Sequence, residues 1–323
     1  MKIKDYTVIG ELKNDNSGYG KWGFAKKGAE EVFVKQFLTP TYPLDSTAIS
    51  ESQFRQKVDI CLEFERQKRA FYNSINTCLT GNVVTVREFF RHENKYYIVT
   101  EKVRSEEITP VEISAMSMEQ RVIIAKVILH SMDSIHRSGV VHGDLKPDNI
   151  LIKETYRGMY TAKIIDFDSG FAQDNAPKLG DDLQGDMVYL APEAFLFLAE
   201  ENAELTNKID IFALGIVLHE YFCGDVPGFN RAEYDYTFES VLDGNVPIID
   251  SSIPRHIGEL IERMLDKNPE NRPTAAEAFA CIGGCELPAV DYTHEVKVIA
   301  EPPRQQPAGV GVGYFSSATD DLL

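Results

Sequence analysis

The stretch VVHGDLKPDNILI, residues 140–152, sets a His, two Asp, a Lys and an Asn between two apolar runs. Asp144 offers a carboxylate, Lys146 an ammonium and Asn149 a carbonyl oxygen. Downstream, AKIIDFDSG (162–170) carries an apolar strand that delivers a further carboxylate, Asp166, into a turn. Phosphoryl transfer needs such a set: hard oxygen ligands for a metal ion, a base to orient the attacking hydroxyl, and a cation to neutralise charge on the phosphoryl group. These groups are costly to bury unpaired. The apolar flanks Val140, Val141, Ile150, Leu151 and Ile152 therefore have to pin the loop while its polar residues face a site.

The elements that would hold this loop can be read from periodicity. The first hundred residues are mainly strands: YTVIGEL and EEVFVKQF are bounded by Gly, Asn and Asp turn signals, and NVVTVREFF and KYYIVTEKV flank a hairpin turn in RHEN. Between these pairs, 50–75 has helical spacing. After Val103 helices dominate. SMEQRVIIAKVILHSMDSIHRSG has Ser117 as N-cap, Gln120 at capping-box spacing and Gly139 as the stop. Further helices fit 209–222, 255–265 and 274–281, the last with Thr274 as N-cap after Pro273. From 286 the chain is rich in Pro, Gly and small polar residues without a period, as in a flexible tail.

The ordered motifs resemble those of the eukaryotic-like serine/threonine protein kinases. His142-Gly143-Asp144 stands where the family has H-R-D, so the resemblance implies that Asp144 is the catalytic base. Lys146 would contact the transferring phosphate, and Asn149 and Asp166 would hold the metal ion. Lys35, in VFVKQF, matches the strand lysine that binds the α/β-phosphates and pairs with a helix glutamate; Glu65 is the chosen partner and Glu63 its competitor. YLAPE supplies the A-P-E signature, whose Glu193 the resemblance pairs with Arg272, and DIFALG (210–215) matches a helix start, with a plain N-cap as the alternative role of Asp210.

The glycine-rich loop, DNSGYGKWGFA, allows two registers. One takes Gly18, Gly20 and Gly23 literally; the other puts Tyr19 at the aromatic position, Gly20 last and Trp22 at the family's Val. Either register brings Ser17, Gly18, Tyr19 and Gly20 to the nucleotide phosphates. Thr100 takes the gatekeeper position, and the backbone of Glu101 and Val103 would bond adenine. The resemblance covers about residues 6–282 and implies an α+β, bilobal kinase-like fold: a small β-rich N-lobe (1–102), a larger, mainly helical C-lobe (103–285) and a tail (286–323). The implied cofactors are ATP with Mg2+ or Mn2+, and the implied partner is a protein substrate.

Three positions depart from the pattern. Gly143 replaces the Arg that pairs with an activation-segment phosphate, and between Asp166 and Glu193 the only hydroxyl residues are Ser169 and Tyr189. Activation by phosphorylation of that segment is therefore not expected. Asp168 replaces the Gly of D-F-G, either stiffening the turn or adding a third carboxylate to the metal site. Asp186 stands where a Thr is usual and is expected to ion-pair with Lys146.

Composition narrows the alternatives. The chain has 323 residues, 43% apolar and 26% charged, with a formal charge of −17. An acidic surplus argues against a general nucleic-acid binder and against a polybasic membrane-surface protein. No apolar run reaches the length of a bilayer span, and MKIKDYTVIGEL lacks the core and cleavage site of a signal peptide. The five scattered cysteines fit a reducing, cytoplasmic compartment, and Cys281 with Cys285 lacks the partners of a metal site.

A pseudokinase that holds nucleotide or a partner without catalysis is one rival reading; a kinase fold acting on a small molecule is another. Retention of Lys35, Asp144, Asn149 and Asp166 speaks against the first, and the A-P-E segment with Arg272 against the second. In the tail, Ser316, Ser317 and Thr319 are candidate self-phosphorylation sites beside acidic residues.

Overall fold

Alternating side chains divide the N-terminal sheet into two apolar faces. The computed structural model describes residues 1–14, 20–44, 49–78, 80–103, 108–155, 159–178, 183, 185–201 and 203–283. Six strands, β1 (Lys2–Ile3), β2 (Tyr6–Lys13), β3 (Gly20–Lys27), β4 (Glu30–Phe37), β5 (Val86–His92) and β6 (Lys95–Glu101), form an antiparallel sheet in the order β1-β2-β3-β4-β6-β5. One face buries Ile3, Tyr6, Val8, Val32, Val34, Phe90 and Val99. The other packs against helix α1 (Glu51–Asn76), where Phe37 and Phe89 meet Phe64, and Tyr72 meets Phe89. The Ser50 hydroxyl caps α1, and Gln53 completes the capping box.

Beyond Glu101 helices take over: α2 (Pro110–Ser114), α3 (Met118–Arg137), α4 (Pro192–Leu198), α5 (Lys208–Cys223), α6 (Thr237–Leu242), α7 (Arg255–Met264) and α8 (Ala275–Cys281). The capping box read from Ser117 with Gln120 forms, and so does the N-cap read at Thr274, where Glu277 completes a second box. Helix α5 is apolar all round and correspondingly buried, with Ile211, Leu214, Ile216, Val217 and Leu218 wholly inaccessible. The architecture is α+β: a sheet with one long helix, followed by a helical body built around α5.

Two short antiparallel ladders between α3 and α4, one nested within the other, carry the polar loop. Strand β7 (Val140–Val141) pairs with β10 (Phe171–Ala172), and β8 (Ile150–Glu154) pairs with β9 (Tyr160–Ile164). Residues 142–149 leave β7 and enter β8, while 165–170 leave β9 and enter β10. Two antiparallel ladders thus force the two acidic segments side by side. The apolar flanks act as anchors: Val140, Val141, Leu145, Ile150 and Ile152 are all buried. Among the described residues, no helix is long and apolar enough to cross a membrane.

Candidate active site

The loop after β7 hangs from one buried carboxylate. Asp210, in the first turn of α5, is 1% exposed and accepts hydrogen bonds from the backbone N–H groups of His142 and Gly143 and from His136 Nε2, each at 2.9 Å. Burial alone would raise its pKa, but the His136 and His142 contacts hold the carboxyl below the usual range. Asp210 is thus the anchor of a network, and more than a helix cap. The His142 ring donates to the Ile165 carbonyl at 3.0 Å and packs on Phe167 at 4.7 Å between centroids, tying the loop to the D-F-D turn.

Gly143 is where the two segments touch. Its φ is +79°, and a Cβ there would meet the Ser169 carbonyl oxygen at 2.5 Å. Both facts require glycine, because the obstacle is backbone that cannot swing aside. The missing Arg of H-R-D is therefore built into the packing. Gly170 repeats the close approach from the other side, where a Cβ would meet Phe71 Cζ at 2.6 Å and the Val141 carbonyl oxygen at 2.9 Å.

Asp144 sits at the centre of the polar set. Its Oδ1 accepts the Asp186 backbone N–H at 2.9 Å, and its Oδ2 lies 3.2 Å from Lys146 Nζ. Lys146 also lies 3.5 Å from Asp186 Oδ2, so the expected ion pair forms. Burial lowers the Lys146 pKa, and Asp144 and Asp186 outweigh it, leaving the ammonium above its ordinary value. The Asn149 Nδ2 donates to the Asp144 carbonyl oxygen at 2.7 Å, which turns Oδ1 away with no hydrogen bond among the described residues. Asp166 follows β9 in the left-handed region, at φ +58°. For a non-glycine residue that conformation is strained by about 1 kcal/mol or more, and such strain clusters at functional sites. The Asn149 side-chain oxygen and the partly exposed Asp166 carboxylate are hard oxygen donors of the kind a divalent cation takes.

Lys35 lies on β4, 7% exposed, with Asp166 Oδ1 at 3.5 Å and Asp168 Oδ2 in direct ion-pair contact. The turn acid stands where a helix glutamate was expected. Glu65 points instead to Arg91, at 3.9 Å, and Glu63 is exposed and bonded to Arg66 and Gln67. The helix face beside Lys35 carries Lys68, whose ammonium lies over the rings of Phe37, Phe71 and Tyr72. Burial lowers the Lys68 pKa. The pairing of Lys35 with Glu65 is thus corrected to one with Asp168. One oxygen of the Asp168 carboxylate, Oδ2, is engaged by Lys35, while the side chain stays 31% exposed. Burial and then Asp166 push the Asp168 pKa up, against the pull of Lys35.

Gly20 opens β3 opposite Phe37, and Trp22 pairs with Lys35 across the β3–β4 ladder. Trp22 stacks on Phe33 at 5.8 Å and meets Phe24 edge-on at 6.2 Å. Thr100 pairs with Phe33 and so shares one sheet face with Phe33, Lys35 and Trp22. Glu101 fixes this connection. Its carboxylate accepts Lys163 Nζ at 2.6 Å and the Thr85 N–H at 2.8 Å, while its own N–H donates to the Thr85 carbonyl at 3.1 Å. Val103 follows, half-buried against the core. Ser17, Gly18 and Tyr19 lie outside the described residues, as do Ser316, Ser317 and Thr319.

Farther out, Arg272 forks onto Glu193 through two bonds of 2.6 and 2.8 Å, both residues buried. Arg272 also donates to the carbonyls of Lys208 and Asp266. The fork ties α4, which opens with the A-P-E segment, to the start of α5 and the approach to α8.

The roles of Asp168 and Lys68 escaped the sequence reading. The available signal was a second acidic residue in D-F-D together with a lysine on the helix face that should have carried an acid.

Known proteins agree with this geometry. Residues 46–281, well over half the chain, match the family model described as "Protein kinase domain". A Clostridium perfringens protein named "Probable serine/threonine-protein kinase" is 26% identical over 71% of this chain and 32% of its own length. The serine/threonine-protein kinase cds1 of Schizosaccharomyces pombe is 30% identical over 61% of this chain and 43% of its own. The serine/threonine-protein kinase pkn3 of Myxococcus xanthus is 28% identical over 65% and 39%. The chain thus spans less than half the length of these relatives. With the matched model running from before α1 through α8 and taking in Asp144, Lys146, Asn149, Asp166 and Asp168, the chain belongs to the protein kinase domain family.

Proposed function

We propose that the chain transfers the γ-phosphate of ATP to Ser/Thr hydroxyls of a protein, without phosphorylation of its own activation segment. The observation that carries this is the arrangement of Asp144: one oxygen is fixed by the Asp186 N–H at 2.9 Å, the other lies 3.2 Å from Lys146, and Asn149 is bonded to the same residue. Asp144 accepts the proton of the attacking hydroxyl as the new P–O bond forms and the bond to the ADP oxygen breaks. Lys146 neutralises charge on the phosphoryl oxygens, and Lys35 binds the α/β-phosphates. Asn149 and Asp166 hold Mg2+ or Mn2+, which supplies electrostatic stabilisation of the phosphates when bound. Lys35, Asp144, Asn149 and Asp166 in one site favour catalysis over a pseudokinase that only binds.

Independence from segment phosphorylation rests on Gly143, whose contact with Ser169 leaves no room for a phosphate-reading side chain. The substrate is proposed to be basic near its acceptor. Asp186 flanks Asp144, and Glu220, bonded by the Tyr189 hydroxyl at 2.8 Å, has its pKa raised by burial and by Asp225, Asp186 and Asp148 nearby. The compartment is proposed to be cytoplasmic, from the scattered cysteines, and the tail residues Ser316, Ser317 and Thr319 are candidate self-acceptors.

The test uses labelled ATP with Mg2+ or Mn2+, the phosphatase-treated full chain and its Ser169→Ala variant, with product phosphoamino acids mapped. Phosphoserine or phosphothreonine formed at equal rates by both proteins supports the reading. A large activity rise on phosphorylating Ser169 refutes the regulatory part, and absence of transfer refutes the kinase.

A further inference from the structure

Among the described residues, Lys35 pairs with two acids, and both come from one turn: Asp166 and Asp168. The helix supplies neither. Its Glu65 is committed to Arg91, across the sheet, and its Glu63 to Arg66 in solvent. The face that comes up beside Lys35 instead brings another cation. Lys68 Nζ lies 5.9 Å from the ring centroid of Phe37, two residues along β4 from Lys35 on the same sheet face. Among the described residues, two lysines and two aspartates thus share this corner, and the turn supplies both negative charges.

We propose that Asp168 is the positioning residue of Lys35, taking the role of a helix glutamate, while Lys68 bars the helix from supplying one. The proposal rests on the reading of Lys35 as the residue that binds nucleotide phosphates. It changes what sets the site. Asp166, the candidate metal ligand, and Asp168, the counter-ion of Lys35, belong to a single backbone turn. That turn is clamped by buried Phe167 on His142 and by the contact of Ser169 with Gly143. Metal ligand and phosphate lysine are therefore aligned together, with no swing of α1 needed.

The test compares the full chain with Asp168→Asn, Asp168→Glu, Asp168→Asn combined with Lys68→Glu, and Lys35→Met. Asn keeps the shape of the turn residue and removes only its charge. Thermal unfolding confirms that each variant folds, and Asp168→Glu serves if Asn does not. Readouts are KM for ATP, kcat, the Mg2+ requirement, and equilibrium binding of a non-hydrolysable ATP analogue. Asp168→Asn should raise KM and weaken analogue binding about tenfold, the size of a lost charge-assisted bond, with the Mg2+ requirement unchanged. Asp168→Glu should stay within about threefold of wild type, and adding Lys68→Glu to Asp168→Asn should recover most of the loss, because an acid again faces Lys35.

Wild-type kinetics and binding in Asp168→Asn, with Lys35→Met impaired, would overturn the proposal and leave the reading of Lys35 standing. An unimpaired Lys35→Met would overturn both. A raised Mg2+ requirement in Asp168→Asn, or no recovery from Lys68→Glu, would make Asp168 a metal ligand or a turn residue and equally overturn it.

Discussion

Restoring the family's arginine at position 143 is predicted to damage this protein. Gly143→Arg and Gly143→Ala both introduce a Cβ at φ +79°, 2.5 Å from the Ser169 carbonyl oxygen and 3.1 Å from its carbon. Left-handed backbone costs a non-glycine residue about 1–2 kcal/mol. Forcing an atom into packed backbone costs a further 1–3 kcal/mol or so. The sum, about 2–5 kcal/mol, corresponds to a Tm lower by roughly 4–20 °C for a chain of this size. The displaced backbone is that of Ser169, which leads back to Asp168 and Asp166, so kcat should also fall, by about tenfold or more. Thermal unfolding and steady-state transfer read the two effects. A Gly143→Arg protein as stable and as active as wild type would refute the packing account. So would one whose activity rises on phosphorylating Ser169.

Two more outcomes follow from buried charges. Asp210→Asn removes the charge and turns one of two acceptor oxygens into a donor that faces other donors, and should cost about 3 kcal/mol, with loss of activity as the loop loosens from α5. The folded Asp210 carboxyl lies below its ordinary range, so its contribution is fully present above the unfolded Asp pKa. It is lost as pH falls through the folded value. The stability gap between wild type and Asp210→Asn, measured by urea unfolding, should hold from neutral pH down to about 4 and narrow below it. Arg272→Ala leaves Glu193 buried without its fork and should cost about 3–5 kcal/mol, whereas joint replacement by Glu193→Leu and Arg272→Met should recover more than half.

Much of this was legible because residue type and spacing do chemistry directly. The loop at 142–149 and the turn at 166 are recognisable from carboxylate, ammonium and amide between apolar anchors, and the structure lays both segments side by side. Helix starts were legible where caps are local: Ser117 and Thr274 each bond three residues on. The short helices α2, α4 and α6 were not singled out, because five to seven residues hold too few turns for a period to appear. The partner of Lys35 was missed for a related reason. Spacing along α1 offers Glu65 and Glu63 as the acids, but whether an acid or Lys68, about one turn beyond Glu65, faces Lys35 depends on how the helix rolls against the sheet. The direction of Asp168 is likewise a property of the turn and not of its sequence.

Asp144→Asn tests the central claim most directly, measured as kcat for transfer from ATP together with binding of a non-hydrolysable ATP analogue. The substitution keeps the side chain's shape and its capacity to accept the Asp186 N–H, and removes the proton acceptor. The account predicts a loss of about a hundredfold or more in kcat, with analogue binding within about threefold of wild type. Transfer at the wild-type rate would contradict it.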